Sequence, residues 1–180
     1  MSKTNFISES FKQRADSSAF FEAWVGAMLS RSGLTTVHHP FTLAGETGNP
    51  LSFYAHSWDL DVGVVDEGFR ADVFTAVEVK SVNLKFSDHP NDYPHLGVLV
   101  CSDRSFTKKW PGKDTTQRDF LMVSRVTGAI IWLPKGSPTI VKEQKDKTRN
   151  ETYACRATHK SCLRSFSEFV GNIKGEPWEK

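Results

Sequence analysis

The chain has 180 residues, 38% hydrophobic and 12% aromatic, with 23 Lys and Arg against 21 Asp and Glu for a net charge of +2. That length fits one domain with a sizeable core, and the near-balance of charge excludes a generic polycation that would bind nucleic acid through bulk charge alone. With no run of about 18 apolar residues and no apolar core at the start, the sequence predicts neither a membrane span nor secretion, so the cytoplasm is the default compartment. Three cysteines, Cys101, Cys155 and Cys162, form no Cys-x-x-Cys pair, which argues against a disulfide framework and for reducing surroundings.

In chain order, residues 1–16 are polar and partly helical by pattern, and Asp16, Ser17 or Ser18 can cap a helix running to about Arg31, where Gly33 ends it. Residues 34–43 read as a first strand, 44–51 as a Gly/Pro/Asn-rich loop, 52–65 as a second strand and 74–82 as a third. Residues 83–95, with Pro90 and Pro94, break the pattern. Leu96-Gly97-Val98-Leu99-Val100-Cys101 is continuously apolar, as expected of a buried central strand. Residues 120–126 and 129–133 flank Thr127-Gly128 as a hairpin. Residues 135–150 carry Gly, Pro and many charges and read as a mobile or DNA-ordered loop. Leu163, Phe166, Val170 and Ile173 then recur at helical spacing, giving a C-terminal helix at about 161–174 that covers one face of the sheet. The expected fold is α/β, a mixed central sheet flanked by helices, with a core at about 17–133.

Two of these strands carry chemistry. Trp58-Asp59-Leu60-Asp61-Val62 and Val77-Glu78-Val79-Lys80-Ser81 alternate apolar with ionic residues, so if they pair, Asp61, Glu78 and Lys80 come together on one face. Two carboxylates and a backbone carbonyl, here that of Val79, are hard oxygen donors suited to Mg²⁺ or Mn²⁺. Lys80, two residues beyond one ligand, can orient a water and offset charge on a phosphorane. An isolated Glu-x-Lys is most often a polar strand edge, and a surface Glu78–Lys80 pair would add little stability. The acid strand before it, the turn between and the apolar strand after it make the set specific.

At this point the first 100 residues or so resemble the PD-(D/E)xK nuclease superfamily, with its restriction-endonuclease-like fold, in their order of helix, strand, Asp strand, Glu-x-Lys strand and apolar strand. Asp59-Leu60-Asp61-Val62 is similar to the Glu-Ile-Asp-Leu stretch of one branch, in which the second acid is the ligand. The resemblance therefore implies Asp61 as ligand, with Asp59 auxiliary, although Leu60 stands where the family has a proline. Many members carry a helix glutamate that reaches the site. Glu22, at the edge of the apolar arc of Phe21, Val25 and Leu29, occupies the matching place. What the resemblance implies is Mg²⁺-dependent cleavage of DNA, endonucleolytic and of a kind found in phages and mobile elements, leaving 3′-hydroxyl and 5′-phosphate ends. Enzymes that cut both strands often act as symmetric homodimers, an arrangement the sequence leaves open.

Basic residues collect outside the acid strands. Arg104, Lys108, Lys109, Lys113 and Arg118 crowd one connection and are the candidate DNA contacts, with Trp110 beside them as a stacking group. Lys142, Lys145, Lys147, Arg149, Arg156, Lys160 and Arg164 follow later. Cys155, His159 and Cys162 are three potential zinc ligands without a fourth nearby, a poor match to zinc spacing, and no His and Asn stand at a ββα-metal spacing. The alternative is a non-catalytic DNA-binding or host-protein-binding factor that keeps the fold, in which an exposed apolar patch would dominate the surface.

Overall fold

A computed structural model of the chain describes residues 9–38, 59–64, 75–107, 118–146 and 151–175, without the side chains of 9–18, 104, 105, 146 and 151. Helix α1 (Glu9–Arg31) begins well before the expected capping residues. Its Phe21, Val25, Met28 and Leu29 recur at helical spacing and pack on the core. Ser32 and Gly33 close its last turn, Gly33 at φ 79°.

Strands β1 (Thr35–His38), β2 (Leu60–Gly63) and β3 (Thr75–Val82) follow, then β4 (Gly97–Ser102), the short helix α2 (Asp103–Thr107), β5 (Asp119–Ser124), β6 (Ile130–Leu133), β7 (Ile140–Asp146), β8 (Glu151–His159), β9 (Arg164–Ser165) and helix α3 (Phe166–Lys174). Six strands form one sheet in the order β1-β2-β3-β5-β6-β9, antiparallel except for the parallel β3–β5 pair, so the main sheet is mixed, as expected of this α/β chain. Gly26 on α1 admits β1: the His38 ring lies 2.5 Å from where a Cβ at Gly26 would stand.

Alternation sorts the main sheet into two faces. Leu60, Val62, Val77, Val79, Leu121, Val123 and Trp132 join α1 and Phe169 of α3 in one buried cluster, while Phe120, Met122, Ile131 and Leu133 join Val98, Val100, Phe86 and Tyr93 in a second. Both clusters share the sheet, which ties the two halves of the fold together. Helix α3 starts at a capping box between Ser165 and Glu168 and ends at Gly175 in the left-handed conformation.

Three elements differ from expectation. The second face of the sheet is covered by a small antiparallel sheet, β4-β8-β7, where a helix was anticipated. The apolar run at 96–101 is therefore no buried central strand. As β4 it borders the small sheet, burying Val98 and Val100 while Leu96 and Leu99 stay 66% and 42% exposed. Residues 140–146, expected within a mobile loop, form β7, because every residue from Ile140 to Asp146 finds a partner on β8. The hairpin at 120–133 is as read, β5 returning as β6 through a turn closed by Gly128 N–H to Ser124 O. Among the described residues no helix is long and apolar enough to cross a membrane.

Candidate active site

The acids meet where β2 begins beside β3. Leu60 lies opposite Val77 and Asp61 opposite Ala76, and the Asp59 N–H, just before β2, donates to Val77 O at 3.0 Å. That bond is one residue out of the ladder, so the regular pairing ends at Leu60, and Asp61 sits one diagonal step from Glu78, about 7–8 Å in such a ladder. The Asp59 carboxylate folds over the strand and accepts the Val79 N–H at 2.7 Å. In an extended strand the N–H and C=O of one residue point to the same edge. The Val79 carbonyl thus also turns toward Asp59.

Charge around Asp59 is unbalanced. Burial, then the negative charges of Glu22 and Glu78, push its carboxyl from 3.8 up to about 8, against which the Val79 N–H and the more distant Arg118 pull less strongly. Glu22, on α1, is half-buried and close enough to act on Asp59. Glu78 is also raised by burial, opposed by Arg118 and then Lys80, although 21% of its side chain remains exposed. Among the described residues no three His, Cys, Asp or Glu side chains converge into a ready-made metal cage.

Glu78 and Lys80 open into a cleft of about 600 Å³, whose far side is built by Tyr93, His95, Leu99 and Tyr153. A second hollow of about 710 Å³, between α1 and the β5–β6 turn, is lined by Trp24, Asp88 and Phe166 and holds none of these acids.

The basic group expected to meet DNA is placed differently. Arg118 is buried, its side chain 2% exposed, with Nε 2.7 Å from Glu78 Oε2. The two form an ion pair in which the Nε–H itself is not aligned for a hydrogen bond. The guanidinium also lies 3.9 Å from Cys101 Sγ and over the Phe120 ring, and beside Glu78 the buried Cys101 thiol is pushed up to about 11, chiefly by burial. A guanidinium enclosed in this way cannot grip a phosphate backbone from the surface. Arg104 lies on α2, and Lys108, Lys109, Trp110 and Lys113 fall outside the described residues. Of the Cys-His set, Cys155 is buried with its thiol on Lys142 O, and the His159 ring caps Ser161 N–H.

Sequence alternation placed Asp59 and Asp61 on one face but could not choose between them. Which carboxylate bonds to the β3 backbone depends on how the two strands meet, and that is not written in the chain text; it is Asp59 that accepts the Val79 N–H. The Arg118–Glu78 pair spans 40 residues and had no sequence signal beyond Arg118 preceding an apolar strand.

No family model and no curated protein matches the chain. Among solved structures, Archaeoglobus fulgidus Hjc, a Holliday junction resolvase from an archaeal hyperthermophile, is similar at 11% identity and a TM-score of 0.44, over 91% of this chain and 99% of that one. A likeness this distant assigns no role to any residue here.

Proposed function

We propose that the chain is a divalent-metal-dependent nuclease that hydrolyses phosphodiester bonds in DNA, with Asp59 and Glu78 as the carboxylate ligands. The observation that carries this is the half-buried Asp59 carboxyl, set on the Val79 N–H at 2.7 Å beside the Glu78 strand, with the negative charges of Glu22 and Glu78 acting on it. Partly buried carboxylates that repel one another are destabilising in isolation and would be stabilised by a cation. The donor set fits Mg²⁺ or Mn²⁺, which need only one or two protein carboxylates and keep several waters. Asp59, Glu78 and the Val79 carbonyl would hold the ion, with Glu22 beside Asp59 and Asp61 a step outside.

Bound there, a divalent cation supplies Lewis acidity toward a phosphoryl oxygen and favours ionisation of water. The chain's own groups do the rest. Lys80, close enough to Glu78 to act on its charge, donates from Nζ to orient the attacking water and offsets negative charge developing on the phosphate. Arg118 holds the Glu78 carboxylate from beneath, and the cleft limits access of bulk water.

A second reading is favoured by one contact. The Arg118 guanidinium already neutralises Glu78, as it would in a DNA-binding or protein-binding factor that has given up turnover. Supercoiled, linear, single-stranded and branched DNA incubated with Mg²⁺ or with chelator separates the two. Cutting that needs Mg²⁺ and vanishes in Asp59→Asn supports the nuclease; intact DNA in every lane, with Mg²⁺ or Mn²⁺, leaves the non-catalytic factor.

A further inference from the structure

Resting on that nuclease reading, we infer that the cleft beside Glu78 and Lys80 is a nucleotide subsite that receives an unpaired base of single-stranded DNA, with Tyr153 as its stacking platform. The cleft has two chemically different sides. Glu78 and Lys80 on β3 form the ionic side, next to the place proposed for the scissile phosphate. Leu99 on β4 and Tyr153 on β8 line the same cleft and remain 42% and 43% exposed. Their exposure is not scattered. The ladder pairs Leu99 with Ala157, and alternation along β8 puts Tyr153 and Ala157 on the same face of the small sheet.

The mouth adds a further ring. His95 is exposed and set edge-on to Tyr93, with ring centres 6.4 Å apart. Lys142 brings a cation to the same border strand, its Nζ 3.8 Å from where a Cβ on Gly97 would stand. Cations beside open aromatic and aliphatic side chains, next to a phosphate-handling site, match a nucleotide, whose charge lies at one end and whose flat π face lies at the other.

Pairing decides which nucleic acid fits. In a duplex the base faces are stacked and hidden, so a duplex offers this cleft only phosphates and sugars and leaves Tyr153 and Leu99 without a partner. An unpaired base offers a face to stack. A volume of about 600 Å³ lies within the roughly 300–1,000 Å³ of small-ligand pockets, which suits a nucleotide or two and no paired helix.

The test measures binding of a single-stranded oligonucleotide and its blunt duplex in chelator, where nothing is cut, using a 2-aminopurine reporter base. Wild type should bind the single strand more tightly than the duplex and quench the reporter. Tyr153→Ala should weaken single-strand binding by roughly five- to a hundredfold and abolish quenching with duplex binding unchanged, while Tyr153→Trp should retain both. Equal binding of the single strand by wild type and Tyr153→Ala, with quenching intact, overturns the subsite, as does a preference of wild type for duplex. Tyr153 is half-exposed, so its substitution does not threaten folding, and far-ultraviolet circular dichroism of the variant verifies that. Mg²⁺-dependent cutting of the same oligonucleotides, and its loss in Asp59→Asn, is scored separately: cutting that survives Tyr153→Ala unchanged removes the subsite and keeps the nuclease, whereas no cutting of any DNA removes the nuclease reading itself.

Discussion

Two carboxylates, the buried Asp119 and the half-buried Asp59, stand on either side of β3 and are treated in opposite ways. Asp119 is 1% exposed and fully answered: Trp132 Nε1 and Lys135 N–H donate to one oxygen at 2.7 and 2.9 Å, and Thr75 Oγ1 donates to the other at 2.9 Å. Asp59 accepts the Val79 N–H and is crowded by Glu22 and Glu78. A carboxylate with three donors fastens β3, β5 and β6 together. In the proposed site, one set beside other acids would be balanced by something that brings positive charge. Burial alone therefore does not mark a functional acid; what surrounds it does.

Substitution at the site should give the largest effect. Asp59→Asn and Glu78→Gln are each expected to lower Mg²⁺-dependent cleavage by on the order of a thousandfold, because each would take a ligand charge from the proposed metal site. Asp61→Asn should cost less, since the carboxylate that bonds to the β3 backbone is that of Asp59. A plasmid-nicking time course on the three variants ranks them, and an Asp61 variant as dead as the Asp59 variant would return the ligand role to Asp61.

Asp119 should fail in a different currency. Asp119→Ala leaves the Trp132 N–H, the Thr75 hydroxyl and the Lys135 N–H without that acceptor in the interior, at about 1–3 kcal/mol for each group truly stranded. A total of about 3–5 kcal/mol would lower Tm by roughly 10 °C for a chain of this size. Metal binding measured well below that Tm should be unchanged. A variant that melts like wild type would show that the three donors find other acceptors.

The same contrast appears in pH dependence. Because folding raises Asp59 from 3.8 to about 8, the folded metal-free protein holds a proton that the unfolded chain has already released. The stability tied to that proton is fully present below about pH 4 and is lost as pH rises through about 8. Asp59→Asn has no such proton to lose. Urea midpoints for the two proteins should therefore draw apart across this range, with the variant the more stable by on the order of a few kcal/mol at pH 9, although it is inactive. Parallel midpoints from pH 4 to 9 would mean that Asp59 is ionised throughout.

Much of the main sheet was legible in the chain text because its rules are local. Alternation gave β3 and the faces of Glu78 and Lys80, the helical spacing of Phe166, Val170 and Ile173 gave α3, and Thr127-Gly128 gave the β5–β6 turn. What escaped was non-local. The apolar run ending at Cys101 looks alike whether both of its faces are covered or only one, and only the packing of Val98 and Val100 against Met122 and its neighbours decides that Leu99 stays open. Residues 140–146 carry charges suited to a loop, yet the ladder to β8 satisfies their backbone whatever their side chains. The charge of Arg118 predicts an outward side chain, and its burial against Glu78 depends on a contact that no sequence window contains.

Glu22 offers the finest test of how charge at Asp59 is set. It acts through space from α1 and raises the Asp59 carboxyl after burial and ahead of Glu78. Glu22→Gln removes that repulsion while keeping the shape, so Asp59 should ionise at lower pH and release less of a proton when Mg²⁺ binds near neutrality. Isothermal titration in two buffers of different ionisation enthalpy reads the proton count directly. If Glu22 serves only as a charge neighbour, cleavage at pH 7 should change by less than about tenfold, with the rising limb of the pH–rate profile moved to lower pH. A larger loss with no displacement of that limb would make Glu22 a ligand, and would add a third carboxylate to the centre that Asp59 and Glu78 begin.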